Sequence, residues 1–251
     1  MKTLQVDFVS DVACPWCAVG LASFELALKD VAESIDVELH FQPFELNPTM
    51  AAEGADAADY LIAKYGMSRE QLAVNRKRIA ERGAAVGFTF GERKHVWNTF
   101  DAHRLLYWAG VEGSTLRAPG RPKREGAPEG NEGALASPWG SERSEFGGLS
   151  PQHALKKALL QAYHGEGRNP AAHDVLLELA TAAGLPTERA REVLASRQFA
   201  DEVREAERFW QEAGIDGVPA VVINRRHLVQ GGQPPEVFAQ ALRKIATEDP
   251  P

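Results

Sequence analysis

The chain of 251 residues contains two cysteines, Cys14 and Cys17, separated by Pro15 and Trp16. Such a pair can staple a loop, share a zinc ion, or exchange dithiol for disulfide. Closing so short a loop removes little unfolded-state entropy, which makes a purely structural disulfide a weak reading. Zinc takes four ligands, and the seven histidines show no close spacing that would complete the set. Redox exchange is the reading that remains. Pro15 suits the first position of a helix, where its missing N–H is not needed. With Cys14 as the N-cap, its sulfur faces the free N–H groups of the first turn. Their partial positive charge favours a thiolate and lowers the pKa below about 8.5. Cys17 follows on the same side of that turn, within reach of a disulfide. Cys14 is therefore expected to be the exposed nucleophile and Cys17 the more buried, resolving thiol.

The elements that must position this pair are legible on both sides of it. Residues 3–10 form a short apolar run suited to a buried strand. Residues 15–33 carry apolar side chains at helical spacing, and residues 37–45 alternate Val37, Leu39 and Phe41 with polar residues. A strand, helix and strand of these lengths favour a parallel crossover. From 47 to about 198 the strand signals fade and helices follow one another. Ser68 to Gln71 matches a capping box; Asn98-Thr99, Ser150-Pro151 and Thr187 read as further helix starts. A helix over 199–213 stops at Gly214. Gly217-Val218-Pro219 then leads into Ala220-Val221-Val222-Ile223, the clearest buried strand in the chain. Asn224-Arg225-Arg226 turns into a short strand over 227–230, and Pro234-Pro235 opens a final helix. The expected fold is a small α/β domain, residues 1–47 and 199–251, interrupted by an all-helical insertion over 48–198. Within that insertion residues 112–150 are rich in Gly and Pro with little apolar periodicity, the composition of a solvated surface loop.

Several motifs, in order along the chain, carry a family resemblance. Ser10-Asp11-Val12-Ala13-Cys14-Pro15-Trp16-Cys17 is followed by Phe41-Gln42-Pro43-Phe44-Glu45-Leu46-Asn47-Pro48. Asn98-Thr99-Phe100-Asp101-Ala102-His103-Arg104-Leu105, Gly214-Ile215-Asp216-Gly217-Val218-Pro219 and Gly231-Gly232-Gln233-Pro234 come after them. Together they resemble the thioredoxin-fold DsbA superfamily, and most closely its FrnE-type branch of polyketide-biosynthesis dithiol-disulfide isomerase-like proteins. The resemblance implies a thioredoxin-like fold with a helical insertion after the second strand. It also implies that Val218-Pro219 is a cis-proline loop facing the disulfide, with Val218 backbone groups pairing to an extended peptide or thiol substrate. Pro15 and Trp16 would supply contact area, and Asn98 matches a segment that lies near the site in glutathione-using members. No resident cofactor is implied beyond the redox-active disulfide, with glutathione as a co-substrate.

Asp7 and Asp11 are the carboxylates nearest the pair in sequence. Asp11 reads as a loop cap and Asp7 as a paired strand residue rather than as a proton acceptor. His103 reads as a satisfied helix histidine. Composition narrows the partner classes further. The net charge of −7 disfavours a nucleic-acid partner, and no apolar run approaches the roughly 18 residues of a membrane span. With no leader-like start, the expected compartment is the cytoplasm, and the expected partners are disulfide or thiol client proteins, or glutathione. Two rival activities share parts of this pattern. A glutathione-dependent isomerase or kappa-type glutathione transferase usually carries Ser where Cys14 stands, and a holdase-like binding protein would not depend on its thiols.

Overall fold

The computed structural model describes residues 2–112 and 149–248. The Gly- and Pro-rich stretch read at 112–150 therefore lies, from 113 to 148, outside the described residues. The chain opens with β1 (Lys2–Ser10), α1 (Pro15–Val31) and β2 (Ile35–Pro43). A short strand β3 (Ala55–Asp56), helices α2 (Ala57–Tyr65) and α3 (Arg69–Ala84), and strand β4 (His95–Val96) follow. Next come α4 (Phe100–Val111), α5 (Pro151–Leu160) with a π turn at Gln161–Gly165, α6 (His173–Ala182), α7 (Thr187–Ala195) and α8 (Ala200–Glu212). Strands β5 (Ala220–Ile223) and β6 (His227–Gln230) lead to α9 (Pro235–Glu248).

Four strands make one mixed sheet in the order β2-β1-β5-β6, so strands from the two ends of the chain meet at its centre. β1 runs parallel to β2 and antiparallel to β5, with Val6 opposite Ile223 and Phe8 opposite Val221. β1 is flanked on both sides, and from Val6 to Ser10 every residue is buried, as a central strand requires. On one face Leu4, Val6 and Phe8 pack with Phe24 of α1 and Phe238 and Leu242 of α9. On the other, Val9, Ala220 and Val222 pack with Trp210 of α8. Asn224 and Arg225 both take positive φ, 51° and 54°, giving the tight hairpin between β5 and β6.

The helical segment has its own apolar core, built from α4 to α7, and Val12 and Ala13 are part of it. The loop that carries the cysteines is thus packed into the helices and not only onto the sheet. Gln152 of α5 ties the same helices to β2: its side-chain amide donates to the Phe41 carbonyl at 3.1 Å and accepts from the Phe41 N–H at 3.1 Å.

Two expectations need correction, and one helix goes beyond them. The segment after β2 is not wholly helical, because β3 and β4 pair as a two-stranded ribbon. Helix α2 fully buries only Ala57; Asp56 starts it by accepting from the Ala58 and Asp59 N–H groups. Thr187 is the first residue of α7 rather than its cap, and its hydroxyl pairs with that of Thr181 at 2.7 Å. The capping box at Ser68 and Gln71 is present with both of its hydrogen bonds.

Candidate active site

Between β1 and α1 the chain makes one tight turn that sets both sulfurs. Cys14 is the N-cap of α1 in extended conformation, and Pro15 occupies the first helical turn. The Cys14 N–H donates to the Asp11 carbonyl at 3.3 Å, and the Cys17 N–H donates to the Cys14 carbonyl at 3.0 Å. Both cysteines are free thiols. Cys14 is not the exposed residue that its place at the helix tip suggests. It is 4% exposed, against 0% for Cys17. The Val218 turn covers it: the Cys14 thiol donates to the Val218 carbonyl at 3.5 Å. Pro15, Trp16 and Val218 remain half-buried around this point and form the accessible rim.

The two thiols are electrostatically unlike. The facing Cys17 thiol, with the Cys17 and Trp16 backbone N–H groups, stabilises a thiolate at Cys14 and lowers its pKa against the opposing effects of burial and of Asp11. Burial pushes the Cys17 thiol well up, and the neighbouring Cys14 sulfur adds to that. The first-turn N–H groups expected from the sequence are thus among the groups acting on Cys14.

The loop in front of the pair is clamped from several directions. Asp11 is fully buried. One of its carboxylate oxygens accepts from the Ala13 N–H at 2.9 Å and the Thr99 hydroxyl at 2.9 Å, with His103 Nε2 at 3.3 Å. The other accepts from the Leu46 N–H at 2.7 Å. Burial opposes this charge, but His103 and the two backbone N–H groups outweigh it and hold the carboxyl below its ordinary range. Arg93 donates to the Ala13 carbonyl at 3.0 Å. His164 Nε2 lies 2.9 Å from the Val12 carbonyl. A carbonyl only accepts, so Nε2 carries the proton. Burial and the nearby Arg93 push the His164 pKa down to about 3, so this imidazole is neutral. The π turn brings His164 and Tyr163 inward together, both buried, the kind of local helix defect often found at functional sites.

The opposite wall is the turn at Val218-Pro219, whose peptide bond is cis. The Gly231 N–H donates to the Pro219 carbonyl at 2.7 Å. Two glycines permit the approach. A Cβ on Gly20 of α1 would lie 2.9 Å from Pro219 Cγ, and one on Gly232 would lie 3.1 Å from the Trp16 carbonyl oxygen. Helix α3 completes the rim, with Arg82 donating to the Gly232 carbonyl at 3.2 Å and Arg78 over the Trp16 ring at 5.8 Å. Gly20→Val is expected to destabilise the fold by about 1–3 kcal/mol through overpacking, because a proline ring in a short loop cannot swing aside. Chemical denaturation would check this, and an unchanged midpoint would count against a tight α1–Pro219 contact.

Cys14, Cys17, Pro15, Trp16, Val218 and Pro219 thus surround one point. Asn98 is occupied elsewhere: its amide donates to the Met50 carbonyl at 3.0 Å and accepts from the Phe100 N–H at 2.9 Å. Asn98 thereby caps α4 and leaves the Thr99 hydroxyl free for Asp11. Asp7 is buried in the sheet and accepts from Gln42 at 2.7 Å. The sequence offers no sign of Arg93 and His164 at the loop, because each comes from the helical segment and lies far from the pair in sequence. Among the described residues no cluster of His, Cys, Asp and Glu is arranged to hold a metal ion, and no helix is long and apolar enough to cross a membrane.

Comparison with known proteins places this geometry. The family model for the DSBA-like thioredoxin domain matches residues 5–119 and 145–243, leaving unmatched only a central part of the Gly- and Pro-rich stretch and the two ends. A crystal structure from Streptomyces coelicolor, described as a probable DsbA oxidoreductase, is 33% identical, with a TM-score of 0.77 over 99% of this chain and 92% of that one. The protein YwbO of Bacillus subtilis (strain 168) is 24% identical over 96% of each chain. The cytosolic disulfide reductase DsbM from Pseudomonas aeruginosa, solved with GSH, is similar in fold, with 17% identity and a TM-score of 0.55 over 96% of this chain and 98% of that one.

Proposed function

The chain belongs to the DSBA-like thioredoxin-domain family, and from that premise we propose that it is a thiol–disulfide oxidoreductase of the FrnE-type branch. The observation that carries this reading is the unequal pair: a Cys14 sulfur favoured as thiolate at the helix tip, backed by a Cys17 held as thiol. In the reductive direction the Cys14 thiolate attacks a client disulfide. One client sulfur leaves as thiolate, and the other stays bonded to Cys14. Cys17 then attacks the Cys14 sulfur, the second client sulfur leaves, and the pair is oxidised by two electrons while the client is reduced by two. Two equivalents of an external thiol restore the dithiol, and the reverse sequence oxidises a dithiol client.

The rim supports a peptide or small-thiol substrate. Val218 offers backbone groups beside Cys14 for strand-like pairing, and Pro15 and Trp16 add apolar area. Glutathione is the proposed small thiol, in keeping with the GSH recorded with DsbM. No cofactor other than the redox-active disulfide is needed. Asn98 in this reading acts on substrate only through the segment it caps. A glutathione-using disulfide exchanger belongs in a reducing compartment, the cytoplasm.

Titration against glutathione redox buffers, with thiols counted, tests the proposal. The expected result is one two-electron transition in which both thiols disappear together; for such a couple a tenfold change in equilibrium constant spans about 30 mV. Two thiols that persist at every ratio would overturn it.

A further inference from the structure

Three guanidinium groups reach the rim of the cysteine pair from the segment between β2 and α4, and none of them meets a carboxylate among the described residues. Arg93 donates to the Ala13 carbonyl at 3.0 Å and lies over the Tyr163 ring at 5.3 Å. Arg82 donates to the Gly232 carbonyl at 3.2 Å. Arg78, one turn earlier on α3, lies over the Trp16 ring at 5.8 Å. The acids beside them in sequence are held by lysines instead: Glu81 pairs with Lys77 at 3.9 Å and Glu92 with Lys94 at 3.5 Å. Asp11, the carboxylate of the loop itself, is buried and already accepts from four donors. Elsewhere in the chain Arg168, Arg189 and Arg204 each hold a glutamate.

The three are not equivalent. Arg82 and Arg93 are half-buried, and their carbonyl contacts fix two parts of the rim. Arg78 is exposed, and among the described residues none of its N–H groups is hydrogen-bonded to the protein. A guanidinium has five donors in a planar fork that matches a carboxylate. Arg78 and Arg82 stand at i and i+4 on α3, where like charges repel each other, so an anion that reaches both is stabilised by each. The ring below Arg78 belongs to the residue between the two cysteines. A substrate sulfur joined to Cys14 therefore has the Val218 backbone on one side and this basic edge beside Trp16 on the other.

We propose that Arg78, with Arg82 behind it, is the edge of the redox site that reads a carboxylate on the substrate, so that the preferred small disulfide or thiol is an anionic one. The proposal rests on the oxidoreductase reading of the same site and narrows its substrate class. Glutathione, with a carboxylate at each end of a short chain around its sulfur, has the required chemistry; cystamine, which carries only amines, does not. The overall charge of −7 repels anions from the chain as a whole, and a local basic edge offsets that repulsion where exchange takes place. Arg78 acts on binding and orientation and takes no part in the transfer of electrons or protons.

The test compares the rates at which the reduced chain loses its thiols to glutathione disulfide, to the same disulfide with every carboxylate esterified, and to cystamine. The unaltered chain is expected to react about fivefold faster with glutathione disulfide than with the ester, the effect of one solvent-screened ion pair. Arg78→Gln is expected to bring that ratio close to one, Arg78→Glu to invert it in favour of the ester and cystamine, and Arg78→Lys to keep only part of it. Added salt should shrink the ratio in the unaltered chain. The same ratio in the unaltered chain, Arg78→Gln and Arg78→Glu would overturn the proposal and leave Arg78 as a cover for Trp16. S-methylglutathione, which has both carboxylates and no free thiol, separates binding from exchange. Its affinity by calorimetry should fall about fivefold in Arg78→Gln. That fall in a chain that exchanges no disulfide would keep the arginine edge and overturn the oxidoreductase reading, whereas exchange that treats acid and ester alike would do the reverse.

Discussion

Cys14→Ser is expected to abolish disulfide exchange, while Cys17→Ser still attacks a client disulfide and then stalls with the client attached. A serine hydroxyl does not form the mixed disulfide, so removing Cys14 removes the first step. Removing Cys17 takes away only the second attack, and the covalent complex accumulates. Gel electrophoresis without reductant, followed by mass analysis of the adduct, would check both outcomes and identify the client. The same asymmetry governs alkylation of the reduced chain. The lowered pKa of Cys14 and its small remaining exposure favour its reaction with limiting iodoacetamide before Cys17. Its rate should rise with pH and level off below the range of an ordinary thiol. An adduct trapped on Cys17 would reverse the assignment. Undiminished suppression of client aggregation by Cys14→Ser, with no thiol dependence, would point to a holdase instead.

Asp11→Ala is expected to cost about 3–5 kcal/mol, the range for removing one member of a buried charged network. The reason is the number of groups that converge on this carboxylate. Without it the buried Ala13 N–H, Leu46 N–H, Thr99 hydroxyl and His103 lose their acceptor, and each orphaned donor costs about 1–3 kcal/mol, not additively. Asp11→Asn is no conservative replacement either. An amide has one acceptor oxygen, so its NH₂ would face either the Leu46 N–H or the three donors on the other side. The sign of the pH dependence follows from the lowered carboxyl pKa. A carboxyl whose folded pKa lies below its unfolded value contributes stability fully above the unfolded value, and that stability is lost as pH falls through the folded value. Denaturation below about pH 4 should therefore show a steeper acid loss in the unaltered chain than in Asp11→Ala. Parallel acid limbs would contradict the network.

How much was legible in advance depended on how local each signal is. The helix start at Pro15, the strand over 220–223 and the capping box at Ser68 follow from a few adjacent residues whose φ preferences and side-chain bonds act at short range. Helix α2 was not legible, because it rests on the Asp56 cap and buries a single residue. The β3–β4 pairing was not legible either, because each strand is two residues long.

The sequence by itself determined the chemistry on offer: one cysteine pair, the proline that starts its helix, and a Gly-Val-Pro turn before a buried strand. These are properties of neighbouring residues, and the unequal thiols follow in part from a helix terminus that the chain forms wherever it lies. Only the tertiary structure decided what surrounds the sulfurs. It covered Cys14 with the Val218 carbonyl, occupied Asn98 with capping, converged four donors on Asp11, and buried His164 behind the loop. Those contacts join residues up to 204 positions apart. They depend on which faces of the helices pack around the loop, and spacing along the chain does not specify that packing.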